Sequence, residues 1–335
     1  MAKYGPLEDK LVVLIGGSGF LGTHVAEELL RRGARLRVVD RHPEKAWHLR
    51  PLAQLGQLQF ARCNVANRRS IEAAIQGADA AVYLVGSFKG ELVALQARGA
   101  GWAAEAAAAN GAGAFVYVSA LGADPESDSG YAATKGEGER LVRTAFPQAT
   151  VVRPSVLFGD DDKFLNLFAR YIRDLPAVPV FGPASQVQPL WVDDAAEGIA
   201  NALADPARHG GKTYEFAGPE AITMLELNRR IAEAQRRDRT FVPVPDALSA
   251  VFAAVPLTPM NSNQWKLLKR GSVPSGTMPG LKDLGVTAKP LGLFLERWMI
   301  RFRKAGRFGD KRDPAGSSPT ALRFPVRQGR IKDVG

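Results

Sequence analysis

The sequence predicts an α/β protein: a doubly wound parallel sheet with a smaller C-terminal lobe and an extended basic tail. Three observations carry that reading. The apolar run Leu11–Ile15 leads straight into Gly16-Gly17-Ser18-Gly19-Phe20-Leu21-Gly22, an order of strand, glycine turn and helix opening that suits a dinucleotide phosphate. Strand-sized apolar runs then alternate with helix-length segments as far as Pro154, a pattern that covers a parallel sheet on both faces. Finally, cations crowd into one end. Residues 297–335 hold eleven Lys or Arg against three Asp, so most of the formal +10 charge lies there.

After the glycine turn, Val25, Leu29 and Leu30 give residues 23–32 a helical spacing that Gly33 ends. Strands are expected over 35–39, 58–61, 80–85, 114–118 and 150–153. Helices are expected through Ile71 and Ile75, over the alanine-rich 94–109 and over 134–146. Beyond Pro154 the alternation becomes irregular. Residues 163–173, 194–203, 223–236 and 263–270 read as helices, the third capped by Thr223, and 214–216 as a strand. The expected division is a nucleotide-domain core over 1–154 and the remaining sheet elements with a smaller lobe over 155–290. A basic amphipathic helix over 291–308 and an extended partner-binding tail over 309–335 complete it.

With 335 residues and 46% hydrophobic content, the chain has enough apolar material for a large core. No apolar run reaches bilayer-spanning length, and the start shows neither a signal peptide nor an arginine-rich presequence, so the expectation is either retention in the compartment of synthesis or a presequence already removed. The single Cys63 excludes an internal disulfide. The four His, at 24, 42, 48 and 209, lack ligand spacing, so no metal is expected.

In a Rossmann-like unit, Gly16 permits the tight turn, Gly19 the approach of the pyrophosphate, and Gly22 close helix packing. At the end of the second strand Asp40 suits a free ribose and therefore NAD, whereas Arg41 suits a 2′-phosphate and therefore NADP; the two point in opposite directions. Ser119, Tyr131 and Lys135 form a catalytic constellation. Tyr131 and Lys135 lie one helical turn apart, which lets an ammonium favour the ionised phenol, and Ser119 ends a strand where its hydroxyl can polarise a carbonyl. The same three residues can equally hold a nicotinamide ribose without turnover.

The glycine order GGSGFLG, the serine ending a strand, YAATK at 131–135, VRPSVLFG at 152–159, QPLWVDDAA at 188–196 and YEFAGPE at 214–220 resemble the extended and atypical short-chain dehydrogenase/reductases. Downstream, VPVPDALSAVFA at 242–253, PMNSNQWKLLKRGSV at 259–273, LKDLGV at 281–286 and LERWMIRFRKAGRF at 295–308 are similar to one atypical branch. That branch is the family of the 39-kDa-type accessory subunit of respiratory complex I and its bacterial relatives. The resemblance implies tightly held NADPH, with NAD(H) the alternative, and a cofactor site at Gly16, Gly19, Phe20, Leu21, Gly22, Asp40, Arg41, Asn64, Val85, Ser119, Tyr131, Lys135 and Pro154. Asn64 stands where the superfamily usually has Asp near the adenine. The resemblance further implies complex I subunits as partners, at the junction of the hydrophilic and membrane arms. The expected place is peripheral, on the cytoplasmic face of a bacterial inner membrane or the matrix side of a mitochondrial one.

Leu291, Leu295, Trp298 and Phe302 form one apolar helical stripe, with Arg297, Arg301 and Lys304 on another face. Three occupants suit that stripe: an anionic phospholipid surface, a protein partner, or the chain's own domain. Nucleic acid is not expected, for want of a recognition helix or interleaved aromatics. Three functions stay open: a complex I accessory subunit holding NADP(H), a free NAD(P)-dependent reductase or epimerase using Tyr131 and Lys135, and an NADP(H)-sensing regulator.

Overall fold

The computed structural model describes residues 5–255 and 260–304. Its first half alternates strands with helices, except that a 3-10 segment, Pro43–Leu52, joins β2 to β3: β1 (Leu11–Ile15), α1 (Phe20–Arg31), β2 (Arg35–Asp40), β3 (Leu58–Arg62), α2 (Arg68–Ile75), β4 (Ala80–Tyr83), α3 (Gly99–Ala109), β5 (Ala114–Val118), α4 (Gly130–Ala145) and β6 (Thr150–Pro154). There follow β7 (Leu157–Phe158), α5 (Leu165–Asp174), β8 (Ala177–Phe181), β9 (Gln186–Val187), β10 (Leu190–Trp191), α6 (Val192–Ala204), α7 (Pro206–His209) and β11 (Thr213–Phe216). The last elements are β12 (Ile222–Thr223), α8 (Met224–Ala234), β13 (Thr240–Val244), α9 (Asp246–Ala254), α10 (Ser262–Arg270) and α11 (Gly292–Met299).

Seven strands form one parallel sheet in the order β11-β6-β5-β4-β1-β2-β3. The central strand β1 shows why. Successive side chains of a strand point to opposite faces, and both faces of β1 are covered. Val12 and Leu14 enter the core under α1 and α6, while Val13 and Ile15 enter the core that includes α2, α3 and α4. A continuous apolar run is therefore what the strand needs. The chain order reverses between β1 and β4, so the carboxyl ends of those strands open a crevice beside the glycine turn.

Two elements differ from the sequence expectation in ways that bear on the site. Helix α4 starts at Gly130, four residues earlier than its periodicity suggests, which puts Tyr131 in its first turn. Gly136 and Gly138 mask the helical signal, but close packing demands them: a Cβ at Gly136 would lie 2.5 Å from the Pro125 nitrogen, and one at Gly138 would strike the Tyr117 hydroxyl. The alanine-rich helix is preceded by a π-helical segment, Val93–Arg98. Its wider winding leaves carbonyls to be met from outside the helix. Tyr83 donates to the Leu95 carbonyl and Tyr117 to that of Gln96.

The smaller lobe has its own core, built from α5, β8, α8, α11 and Phe158. Thr223 caps α8, its hydroxyl accepting from the Glu226 N–H at 3.1 Å. The basic helix expected over 291–308 is shorter, ending at Met299 and followed by a tight turn, Ile300–Phe302. Its apolar stripe is not available to lipid or a partner. Leu291, Leu295, Trp298 and Phe302 are all buried in the lobe, where the Trp298 ring lies 6.0 Å from that of Phe158. Alongside them Phe294 stacks on Trp191 at 3.9 Å. Aromatic burial of this size outweighs exposure to a surface. The tail expected over 309–335 lies outside the described residues.

Candidate nicotinamide nucleotide site

The glycine turn is built for close approach. Gly16 has φ +83°, and a Cβ there would press on Val85; its N–H donates to the Val39 carbonyl at 2.8 Å, pinning the turn to the end of β2. A Cβ on Gly22 would lie 2.7 Å from both the Gly16 carbonyl and the Gly17 Cα, so helix and turn touch backbone to backbone. Gly17 belongs to the same cradle: its Cβ would sit 2.8 Å from that of Leu14. Sequence reasoning passed it over, although its position inside the glycine run was a signal. Gly19 is the N-cap of α1 and has no side chain in the way, so the first-turn N–H groups face outward, as an anionic pyrophosphate requires. These residues fit the phosphates of a dinucleotide.

Phe20 and Leu21 open α1. The Leu21 side chain packs on the main core, which leaves only its backbone for a ligand. The Phe20 ring lies edge-on to His24, with Gly159 close by, because a Cβ on Gly159 would come within 3.0 Å of the Phe20 ring. At the ends of β2 and β3, Asp40 accepts from the His42 N–H at 3.1 Å and Asn64 from the Ala66 N–H at 3.1 Å. Both side chains therefore brace their own turns. Arg41 is exposed. Pro154 ends β6, and its carbonyl accepts from the Leu121 N–H.

The structure brings Tyr131 and Lys135 together on either side of Gly86. A Cβ on that glycine would lie 3.6 Å from the Tyr131 hydroxyl and 3.9 Å from Lys135 Nζ. The Lys135 ammonium is buried and donates to two backbone carbonyls, Val118 at 2.7 Å and Val85 at 2.9 Å. Burial lowers it to about 7, an effect only partly offset by the Glu139 carboxylate. Tyr131 stacks on Phe88 with ring centroids 4.3 Å apart, and burial pushes its phenol up to about 12. The lysine ammonium bonds the backbone, and desolvation of the phenol disfavours its ionised form. Among the described residues the Tyr131 hydroxyl has no hydrogen-bond partner, so its proton is free for a ligand such as a ribose hydroxyl.

Ser119 is engaged by a neighbouring carboxylate. Its hydroxyl donates to Glu139 at 2.5 Å, and Glu139 in turn holds Arg153 through two bonds of 2.8 and 2.7 Å. A hydroxyl that has given its one proton to a carboxylate can accept but cannot polarise a carbonyl. Glu139 and Arg153 escaped sequence reasoning, although Glu139 follows Tyr131 and Lys135 at the same four-residue spacing on one face of α4. Among the described residues there is no cluster of ligating side chains able to hold a metal ion, and no helix long and apolar enough to cross a membrane.

The fold and this crevice define an NAD(P)H-binding protein of the atypical short-chain dehydrogenase/reductase type, and residues 16–168 match the family model described as NAD(P)H-binding. The chain is 34% identical over 299 residues to the mitochondrial NADH dehydrogenase (ubiquinone) 1 alpha subcomplex subunit 9 of Mus musculus, a match covering 84% of this chain and 78% of the mouse protein. It belongs to that family of complex I accessory subunits. A ceramide reductase of Caulobacter vibrioides is 34% identical over 241 residues, 70% of this chain and 74% of the reductase. Among solved structures, an NADPH-dependent quinone oxidoreductase of Escherichia coli complexed with NADPH is similar in fold. Its TM-score is 0.69 at 21% identity, over 85% of this chain and 99% of that one.

Proposed function

We propose that this chain is an accessory subunit of a complex I-type NADH:quinone oxidoreductase, holding NADP(H) as a structural group and turning nothing over itself. The observation that carries the reading is the commitment of the Ser119 proton to Glu139. With the Ser119 proton given to Glu139, the triad is better suited to gripping a ribose than to polarising a substrate carbonyl. Bound nicotinamide would supply hydride chemistry; what the chain's own residues supply is retention. Gly16, Gly17, Gly19 and Gly22 admit the pyrophosphate, Tyr131 offers a hydroxyl proton, and Lys135 fixes the ends of β4 and β5 around it. A ligand bound only by the folded state stabilises that state by mass action, which is how such a group serves assembly.

The placement proposed is peripheral, where the hydrophilic and membrane arms meet, on the cytoplasmic face of a bacterial membrane or the matrix face of a mitochondrial one. Family membership supports a complex I partner. Any phospholipid contact by the terminal helix and the turn after it falls to their exposed cations, Arg297, Arg301 and Lys304, since the apolar stripe is inside the lobe. A second reading, an NAD(P)H-dependent reductase, is favoured by the ceramide reductase relative and by the approach of Tyr131 and Lys135 to Gly86. The regulator that senses NADP(H) predicts readily exchanging nucleotide.

Isolation of the untagged protein from native membranes in mild detergent separates these readings. The expected result is comigration with an intact NADH:quinone oxidoreductase carrying near-stoichiometric NADPH. A free protein with exchangeable nucleotide would overturn the accessory-subunit reading.

A further inference from the structure

Tyr131 has two neighbours that hold it, and both are tied to the start of α10. Its ring stacks on Phe88, in the segment that follows β4, and the Phe88 carbonyl accepts from the Asn261 amide nitrogen at 3.1 Å. Tyr131 also stands in the first turn of α4, whose Gly130 N–H donates to the Asn263 amide oxygen at 2.9 Å. Each amide presents the atom its partner needs, because a carbonyl only accepts and an N–H only donates.

Neither bond duplicates a local one. Ser129 is the N-cap of α4, yet its side chain caps nothing, and its buried hydroxyl has no partner among the described residues. The first N–H groups of a helix have no acceptor within the helix. Asn263 therefore does, from 133 residues away, what the adjacent serine does not. Asn261 is itself fixed by a capping box: its side-chain oxygen accepts from the Gln264 N–H, and the Gln264 side chain accepts from the Asn261 N–H, both at 2.9 Å. That box commits the amide oxygen and leaves the amide nitrogen for Phe88. Further along α10, Lys266 donates to the Asp128 carbonyl at 2.7 Å and Arg270 to that of Gly122 at 2.9 Å. Helix α10 is thus bonded to the segments after both β4 and β5. Gln96 adds a direct tie between the first of these and α4, donating to the Ser87 carbonyl at 3.1 Å and to Thr134 at 3.2 Å.

We infer that Asn261 and Asn263 are positioning residues for the nucleotide crevice. By fixing Phe88 and the start of α4 they keep Tyr131 and its free hydroxyl in place, and so slow the release of bound nucleotide. This rests on the nucleotide-binding reading above. It gives a helix far along the chain a part in retention, whereas the glycine turn, Tyr131 and Lys135 all come from the first half.

The test is stopped-flow release of NADPH from the full-length protein, read as the loss of bound-nucleotide fluorescence on mixing with excess NADP⁺. Asn263→Ala, Asn263→Asp and Asn261→Ser are compared with the parent. Alanine removes the acceptor for Gly130 and aspartate keeps one, while serine keeps the cap of α10 but loses the donor to Phe88. Release should be about tenfold faster from Asn263→Ala and, because Gln96 still ties the segment, about threefold faster from Asn261→Ser. Association rates should stay within about twofold of the parent. Asn263→Asp should release nucleotide at the parent's rate. Without nucleotide, amide hydrogen exchange over 130–134 should quicken in Asn263→Ala and not in Asn263→Asp. Parent-like release from Asn263→Ala or Asn261→Ser would overturn the role of the residue changed, with nucleotide binding intact. Release from Asn263→Asp as fast as from Asn263→Ala would overturn it as well, as would unchanged exchange. A loss of binding sites in place of faster release would mark a merely structural effect and count against the inference. A parent that binds no NADPH would overturn the nucleotide reading, and the retention role with it.

Discussion

The Ser119 hydroxyl donates to the Glu139 carboxylate across 2.5 Å, in a pocket where both side chains are buried. The proposed ribose-holding role of the crevice rests on this one bond, because the bond takes up the proton that a substrate carbonyl would need. It also makes Glu139 a structural centre, since the same carboxylate holds Arg153, whose side chain is only 18% exposed.

Unequal costs are therefore expected from the two ends of the bond. Ser119→Ala should destabilise the protein by about 1 kcal/mol, the usual worth of one hydrogen bond. Glu139→Ala strands the Arg153 cation and should cost about 3–5 kcal/mol. Urea denaturation of both variants measures the difference. Similar costs would mean that Arg153 finds another partner.

Lys135 gives the protein a signature in pH. Its folded-state value of about 7 lies below the ordinary lysine range, so between about pH 7 and the unfolded chain's value near 10.4 the unfolded state binds more protons. Stability contributed through this group must then rise with pH across that window; the desolvation penalty is fully present below about 7 and relieved above 10. Comparing urea midpoints at pH 6.5 and 9, the nucleotide-free parent should gain about 2 kcal/mol relative to Lys135→Met. Parallel pH profiles for the two proteins would show that the lysine keeps its charge.

The terminal helix offers a test of where its apolar face points. Trp298→Ala empties a buried site in the lobe and should cost about 3–5 kcal/mol, with loss of near-ultraviolet circular dichroism. Leu293, 65% exposed on the same helix, should tolerate alanine within about 0.5 kcal/mol. If membrane retention rather than stability responded to Trp298→Ala, the stripe would be facing lipid after all.

Much of this architecture was legible because period and punctuation agreed. β1 and β5 are unbroken apolar runs closed by glycine or serine, and the spacing of Tyr131 and Lys135 marked one face of a helix before any coordinates existed. The start of α4 was obscured by glycines that packing requires but helix propensity disfavours. The carboxylate on Ser119 was hidden for a different reason. Glu139 is local to Lys135, but its partner Arg153 meets it only once α4 lies against β6. The terminal stripe shows the limit of periodicity, which gives the apolar face of a helix but not what that face meets.

The π-helical segment before α3 amounts to an extra residue wound into a turn, and the fold has come to depend on it. Tyr83 and Tyr117 supply the partners that the widened turn demands, and they stand on β4 and β5, the two strands at whose carboxyl ends the Val85 and Val118 carbonyls seat the Lys135 ammonium. A one-residue deletion that restored ordinary helix there would orphan two phenols in the core and shift the seat of the lysine. Length along this stretch is thus as much a part of the nucleotide crevice as the side chains that line it.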